Sequence, residues 1–174
     1  ILNMRTKLII SANGPDRKGI VSEISSIINS HQGNIETSRM IRLINEFAVL
    51  ILIDINENDI PKLNSSLDKI KQLNVNLIKT ENNSQNLEGN KFHLYINGAD
   101  NEGIVYQFSN YFTQINASIE EVKTEIKNAP ISATPLFMMD VIIQIIEEKD
   151  ITTILEELHL IADKLGVEIH LKKI

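Results

Sequence analysis

The beginning of the chain passes from a short apolar run into an amphipathic stretch. The apolar run at 7–12 predicts a buried strand. Residues 17–30 then repeat apolar side chains at helical spacing, which predicts a helix with one buried face: Ile20, Ile24, Ile27 and Ile28. Asp16 stands before this helix as its predicted N-cap, and Gly33 stands after it as the predicted residue that ends it.

Three more strands and a second helix follow. The runs at 34–44 and 47–55 are strand-like, and Asn45-Glu46 between them predicts a tight turn. Pro61 predicts the start of a second helix, and a last strand at 75–80 closes the unit. The order βαββαβ is the ferredoxin-like arrangement, in which a four-stranded antiparallel sheet carries two helices on one face.

The same pattern occurs twice in the chain. The segment NGPDRKGIVSEIS at 13–25 returns as NGADNEGIVYQFS at 97–109, an offset of 97 − 13 = 84, with seven of its 13 positions identical. The apolar strand at 47–55 likewise returns at 137–145. Repeats of this kind indicate duplicated structural units. We therefore predict an α+β chain with two ferredoxin-like βαββαβ domains, which comprise residues 4–81, a polar linker at 82–90, and residues 91–174.

The strand at 47–55 is apolar on both of its faces. Phe47 and Val49 would point to one side of the sheet, and Ala48 and Leu50 to the other. A sheet with one face in water normally alternates between apolar and polar residues, and two helices cover only one face. We therefore expect the other face to be buried against the sister domain or a second subunit, and the protein to be a homo-oligomer.

Composition narrows the classes of function. The formal net charge is −6, which disfavours direct binding of nucleic acid. The absence of cysteine excludes disulfides, thiol catalysis and cysteine-ligated metals, and the four histidines lack metal-ligand spacing, so we expect neither a metal nor a cofactor. Neither a membrane-spanning run nor a signal peptide is evident. We expect a cytoplasmic protein.

The junction between the first strand and the first helix holds the candidate chemistry. A helix start offers unpaired backbone N–H groups, and Gly14 and Gly19 would let a ligand approach the backbone closely. Asp16 can accept from an ammonium group, Arg17 can hold a carboxylate, and Asn34 can supply an amide. The alternative is that these residues only shape the turn. A phosphate loop is excluded because GxxxxGK[ST] is absent.

The predicted ligand-binding residues occur in both repeats. They are Asn13, Gly14, Asp16, Arg17, Gly19, Ile20 and Asn34 in the first unit, and Asn97, Gly98, Asp100, Gly103 and Ser118 in the second. The second loop lacks the proline and the arginine of the first, and a serine replaces the asparagine. The first site is therefore the one that we expect to bind a ligand. We predict no catalytic residues.

These motifs carry a family resemblance. An apolar strand, PDRKGIV, an amphipathic helix and GNI at the second strand resemble the ACT domain, a small-molecule-sensing βαββαβ module. Two such units, with TPLF at 134–137, resemble the glycine cleavage system transcriptional repressor family. The resemblance implies an amino-acid ligand, with glycine or serine expected, bound at an interface formed by the first strand–helix loop and the start of the second strand. It also implies regulation through a partner transcription factor rather than by contact with DNA.

Two other functions stay open. The two units can form a constitutive adaptor, which is a protein that dimerises without sensing a ligand. The first unit also resembles the N-terminal ACT domain of formyltetrahydrofolate deformylase, an enzyme of one-carbon metabolism. Such an enzyme needs a separate catalytic domain, and here a second ACT-like unit fills that length. The sequence offers no nucleophile–base pair at a defensible spacing, so we predict that the protein is not an enzyme.

Overall fold

The computed structural model describes residues 4–80, 89–129, 134–146 and 149–174. The chain divides into two compact units between residues 84 and 85, a position inside the predicted linker. Of the linker at 82–90, only Gly89 and Asn90 lie within the described residues, and Asn90 already begins a strand. Each unit is described separately below.

The first unit has the predicted order of elements. They are β1 (Arg5–Pro15), α1 (Ile20–Ser30), β2 (Asn34–Leu43), β3 (Glu46–Asn56), a 3-10 turn (Glu57–Asp59), α2 (Ile60–Leu67) and β4 (Asn74–Thr80). The strands form one sheet in the order β2-β3-β1-β4, and all neighbouring strands are antiparallel. The ferredoxin-like prediction is confirmed for this unit.

The second unit repeats this arrangement. Its elements are β5 (Asn90–Ala99), α3 (Ile104–Gln114), β6 (Ala117–Asn128), β7 (Pro135–Ile145), α4 (Ile151–Leu165) and β8 (Val167–Lys173). The sheet order is β6-β7-β5-β8, again antiparallel throughout. The internal sequence repeat therefore corresponds to a repeated fold.

One face of each sheet packs against the helices to form the core. In β3 the residues from Phe47 to Ile55 are buried at every second position, and they share one core with the buried isoleucines of α1 and with Leu63 and Leu67 of α2. On the opposite face Leu50 is 54% exposed. Packing against the helices thus explains why one face of β3 is apolar, but it does not explain the apolar residues on the other face. Burial of the other face against a sister domain or a second subunit stays a prediction.

Strand β1 runs further than its apolar residues indicate. Asn13, Gly14 and Pro15 pair in register with the first residues of β3, so the strand ends at Pro15 instead of Ala12. Helix α1 correspondingly begins at Ile20 and not at residue 17. The turn between β2 and β3 comprises residues 44–45, one position earlier than predicted. Cross-strand pairing determines where these elements begin and end, and the local pattern of apolar and polar residues does not show that pairing.

Helix α1 ends at a left-handed residue, but that residue is Gln32 (φ 56°) and not Gly33. The backbone N–H of Gln32 donates to the carbonyl of Asn29 at 3.0 Å, and the N–H of Gly33 donates to that of Ile28 at 3.0 Å. These two bonds form a Schellman motif. Gly33 is needed for a different reason, because a Cβ there would stand 2.8 Å from the Ile28 side chain. The prediction that Gly33 is the left-handed C′ residue was wrong.

Candidate functional site

Glycine, and not an acidic side chain, begins the helix at the candidate site. Gly19 occupies the N-cap position of α1 with φ 85°, and it makes no side-chain capping bond. Asp16, the predicted N-cap, lies too early in the chain for that role. Its backbone N–H donates to the carbonyl of Asn45 at 2.8 Å, and its carboxylate lies 3.5 Å from the guanidinium of Arg42. The N-cap prediction was therefore wrong, and Asp16 instead links the junction to the β2–β3 hairpin.

Gly14 and Gly19 serve two different purposes. A Cβ on Gly14 would stand 2.3 Å from the backbone carbonyl oxygen of Gln72. The close approach expected at Gly14 therefore exists, but a segment of the same unit makes it, and no ligand is needed to explain it. Around the Cβ position of Gly19 no atom lies within 4 Å. Gly19 is required for its left-handed backbone, and it borders open space.

The polar groups at the junction already have partners on the surface. The Arg17 guanidinium donates to the carboxylate of Glu23 in the first turn of α1, and the Arg17 side chain keeps 45% of its surface exposed. The Asn13 side-chain oxygen accepts from the amide of Asn74 at 3.1 Å. Ile20 is a core residue with 4% exposure. Its side chain is therefore directed into the core, and its backbone N–H donates to the carbonyl of Arg17 at 3.3 Å, so Ile20 offers no free group to a ligand.

Asn34 lies far from the rest of the predicted site. It begins β2 opposite Asp54, and Asp54 lies opposite Lys7 near the start of β1. Asn13 is six positions further along β1 than Lys7, which corresponds to about 20 Å of strand. Within one unit, Asn34 therefore cannot supply an amide to the junction at Asn13, and its assignment to a ligand site at an interface stays a prediction. In this fold the helix returns the chain to the opposite end of the sheet before β2 begins.

The second unit shares the backbone of the junction but not its side chains. Gly103 holds the N-cap of α3 with φ 85°. Asn97 and Gly98 lie in β5, and a Cβ on Gly98 would stand 2.8 Å from the backbone of Val167. The N–H of Asp100 donates to the carbonyl of Pro135 at 3.3 Å. The junction residues predicted to bind a ligand therefore lie on the same backbone arrangement in both units.

Two residues distinguish the second junction from the first. Asn101, which occupies the position of Arg17, donates from its side-chain amide to the carbonyl of Leu165 at 2.8 Å. This bond fastens the loop to the end of α4. Ser118 is the second residue of β6 and lies opposite Gln144, so it lies at the far end of its sheet, as Asn34 does in the first unit.

Sequence reasoning missed a cavity of about 230 Å³ beside Asn13. It lies at the hairpin end of the first sheet, and its other lining residues are Ile41, Leu43, Glu46, Phe47 and Ala48. Asn13, Ala48 and Ile41 are cross-strand neighbours. The register of the β2–β3 hairpin was the signal that could have identified them, because a hairpin turn at 44–45 places Ile41 opposite Ala48.

The described residues contain neither a cluster of potential metal ligands nor a membrane-spanning helix. Within residues 4–80, 89–129, 134–146 and 149–174, no three histidine or acidic side chains converge as a metal site would require. In the same ranges no helix is both long enough and apolar enough to cross a membrane.

Sequence comparison identifies the family of this fold. The profile of the ACT domain matches residues 6–77. The UPF0237 protein MK1213 of Methanopyrus kandleri is 37% identical over 76 residues, which are 42% of this chain and 84% of that protein. The chain belongs to the ACT domain family.

Solved structures extend the likeness over both units. A protein of unknown function from Galdieria sulphuraria is 26% identical, with a TM-score of 0.85 over 98% of this chain and 99% of that one. A protein named as a glycine cleavage system transcriptional repressor is 22% identical, with a TM-score of 0.70 over 98% of each chain. At that identity the second likeness establishes the tandem fold alone.

Proposed function

We propose that this protein is a regulatory tandem ACT sensor of a small amino acid, with glycine or serine as the expected ligand, and that it is not an enzyme. The observation that carries the proposal is the junction at Gly19, where a helix begins without a side-chain cap and borders open space. The first backbone N–H groups of such a helix attract a carboxylate. Both units contain this junction, and both keep the left-handed glycine that it requires.

The first junction has the side chains that an amino acid needs. Arg17 is exposed, and its present partner Glu23 is a surface residue of the same turn, so the guanidinium can exchange Glu23 for the carboxylate of a ligand at little cost. The carboxylate of Asp16 lies on the same loop and can accept from the ligand's ammonium group. The junction thus has one group for each charged end of an amino acid.

The side chains of the second junction fit a structural role and not ligand binding. Asn101 uses its amide on the carbonyl of Leu165, and it has no charge with which to hold a carboxylate. We therefore place sensing in the first unit. The second unit then serves to assemble the protein or to transmit the signal.

Regulation through a protein partner fits the charge of the chain. A formal net charge of −6 opposes contact with the phosphate backbone of DNA. The named repressor with the same tandem fold suggests the biological setting, namely transcriptional control of glycine cleavage. In this proposal the protein is a cytoplasmic homo-oligomer that acts on a transcription factor.

The test is a thermal-shift panel of the twenty amino acids at millimolar concentration, followed by variants. We expect glycine or serine to raise the melting temperature and Arg17→Gln to abolish the shift. Lys18→Gln is the matched control, because it removes a neighbouring loop cation without removing the proposed carboxylate contact. Glu23→Gln should keep or strengthen binding, since it frees Arg17. The proposal is overturned if neither glycine nor serine produces a shift, or if a glycine or serine shift is unaffected by Arg17→Gln.

A constitutive adaptor is the second candidate, and the exposed apolar sheet face favours it. Leu50 and Ile41 are 54% and 50% exposed, and such surfaces mark interaction sites. Light scattering after size exclusion, with and without glycine, separates the two functions. An adaptor keeps one oligomeric state and shows no thermal shift, whereas a sensor responds in at least one of these measurements.

A further inference from the structure

The second unit contains a larger cavity at a different place from the junctions. It measures about 420 Å³ and lies between the end of α3 and the start of α4. Helix α3 spans 11 residues from Ile104 to Gln114, so about 16 Å of helix separate the cavity from the Gly103 junction. A volume of this size suits a small metabolite.

The floor of the cavity combines apolar packing with a fixed hydroxyl group. Ile115 and Ile154 are buried there. The hydroxyl of Tyr111, a residue with 6% exposure, donates to a carboxylate oxygen of Glu157 at 2.8 Å. Burial, and then the hydrogen bond to Glu157, raise the pKa of Tyr111 above its ordinary value. The phenol therefore stays a donor and holds the Glu157 carboxylate at the cavity wall.

The charges around the cavity are not balanced by internal ion pairs. Asp150 is occupied as the N-cap of α4, where it accepts from the backbone of Thr152 at 3.0 Å and the hydroxyl of Thr153 at 3.3 Å. Glu157 has no cationic side chain within 4.0 Å among the residues whose structure is described. Lys149, also on the cavity wall, has no anionic partner in that set either. The Glu157 carboxylate and the Lys149 ammonium group thus line one cavity, and neither has an ion-pair partner among the described residues.

The first unit provides an internal comparison. The repeat aligns Ile115 with His31 (115 − 84 = 31). The helix starts DIPKL at 59–63 and DITTI at 150–154 align at an offset of 91 and pair Glu157 with Ser66 (157 − 91 = 66). In the first unit these two residues meet, because the Nε2 atom of His31 lies 3.0 Å from the hydroxyl oxygen of Ser66. At these two positions the second unit has an apolar side chain and a carboxylate without an ion-pair partner. The first unit has instead a side-chain hydrogen bond that joins the end of α1 to α2. The cavity chemistry is therefore particular to the second unit.

We propose that this cavity is a binding site for a zwitterionic amino acid with an apolar side chain. Glu157 receives the ammonium group, Lys149 receives the carboxylate, and the side chain lies on Ile115 and Ile154. This site is independent of the function proposed for the Gly19 junction, since it uses other residues at the other end of a different unit.

The experiment is an NMR titration of the full chain with L-leucine, monitored on backbone amide resonances. We expect millimolar leucine to shift the resonances of cavity residues such as Gln114 and Thr153. Leucinamide, which keeps the ammonium group, and 4-methylpentanoate, which keeps the carboxylate, should each bind more weakly than leucine, because each loses one of the two charged contacts. Glu157→Gln should weaken leucine binding about tenfold, the factor expected when a charge-assisted hydrogen bond is lost.

Glu156→Gln is the matched control, because it removes the neighbouring exposed carboxylate of the same helix, which does not line the cavity. It should bind leucine as the unchanged protein does, and so should Arg17→Gln, which tests the junction alone. If Glu157→Gln fails to fold, Lys149→Gln replaces it and should weaken leucine but not leucinamide. The proposal is overturned if leucine, valine and methionine all leave the cavity resonances unmoved, or if the shifts persist unchanged in Glu157→Gln and Lys149→Gln.

Discussion

Lys91 donates from its ammonium group to a carboxylate oxygen of Glu120 at 2.8 Å, across the intervening strand β7. Glu120 is the extra residue of a β-bulge, skipped in the pairing between β6 and β7. The first unit repeats this relationship with Lys7 and the bulged Glu36. A bulged residue has no cross-strand partner, so the lysine fixes the direction of its side chain. The duplicated sequence thus encodes the same irregularity twice, together with the ion pair that holds it.

The first prediction concerns this ion pair. Lys91→Met should lower the free energy of unfolding by no more than about 1 kcal/mol, because both side chains are partly exposed. The loss should shrink in high salt, where the pair is already screened. Urea unfolding at low and high salt measures both effects. Lys173→Met, on β8, is the control and should change neither; an equal loss in the two variants would show that the Glu120 contact contributes nothing.

The second prediction separates two glycines with different roles. Gly14→Ala should destabilise by about 1–3 kcal/mol because its Cβ would press on the Gln72 carbonyl. Gly19→Ala should cost about 1–2 kcal/mol through its left-handed backbone alone. Asparagine tolerates that conformation, so Gly19→Asn should recover much of the loss and Gly14→Asn none. Chemical denaturation of the four variants tests this, and recovery at Gly14 would contradict the steric explanation.

The third prediction concerns stability in acid. Hydrogen bonds from Lys127 and Lys123 lower the pKa of the Glu125 carboxyl from 4.5 to about 2. A lowered carboxyl pKa means that the stabilising effect is complete above about pH 4.5 and is lost as the pH falls toward 2. Glu125→Gln should therefore flatten the decline of stability across this range. Glu121→Gln, on the same strand, is the control, and a carboxyl titration of Glu125 by NMR should show the lowered midpoint directly.

The fourth prediction concerns stability in alkali. Because burial and Glu157 raise the pKa of Tyr111 above its ordinary value of 10.0, the folded protein keeps the phenol proton to a higher pH than the unfolded chain does. The resulting stability is complete below pH 10 and declines as the pH rises above it. Tyr111→Phe should remove this part of the decline and cost about 1 kcal/mol at neutral pH. Unfolding at neutral and alkaline pH measures both; an identical alkaline decline in Tyr111→Phe would refute the assignment.

The order of the elements and the core were accessible from the sequence because both depend on local periodicity. Ile20, Ile24 and Ile28 recur at the spacing of a helical face, and all three are buried. The strand at 47–55 was recognisable from its continuous apolar run, and the repeat supplied an independent check on the first helix and on this strand. The ends of the elements were less accessible, since pairing with β3 carries β1 on to Pro15.

The candidate site was accessible only in part. The sequence alone located the junction and its recurring glycine, because Gly19 and Gly103 stand at a strand-to-helix boundary in both repeats. The left-handed backbone of these glycines was visible only in the structure. It could not separate Asn34 from that junction, since the distance depends on which end of the sheet α1 returns to. The contact between Gly14 and Gln72 joins residues 58 positions apart (72 − 14), and the Asn101 bond to Leu165 spans 64. Periodicity and repetition are properties of the sequence and can be recognised in it directly. The contacts that each glycine and each polar group makes depend on long-range packing, which exists only in the folded protein.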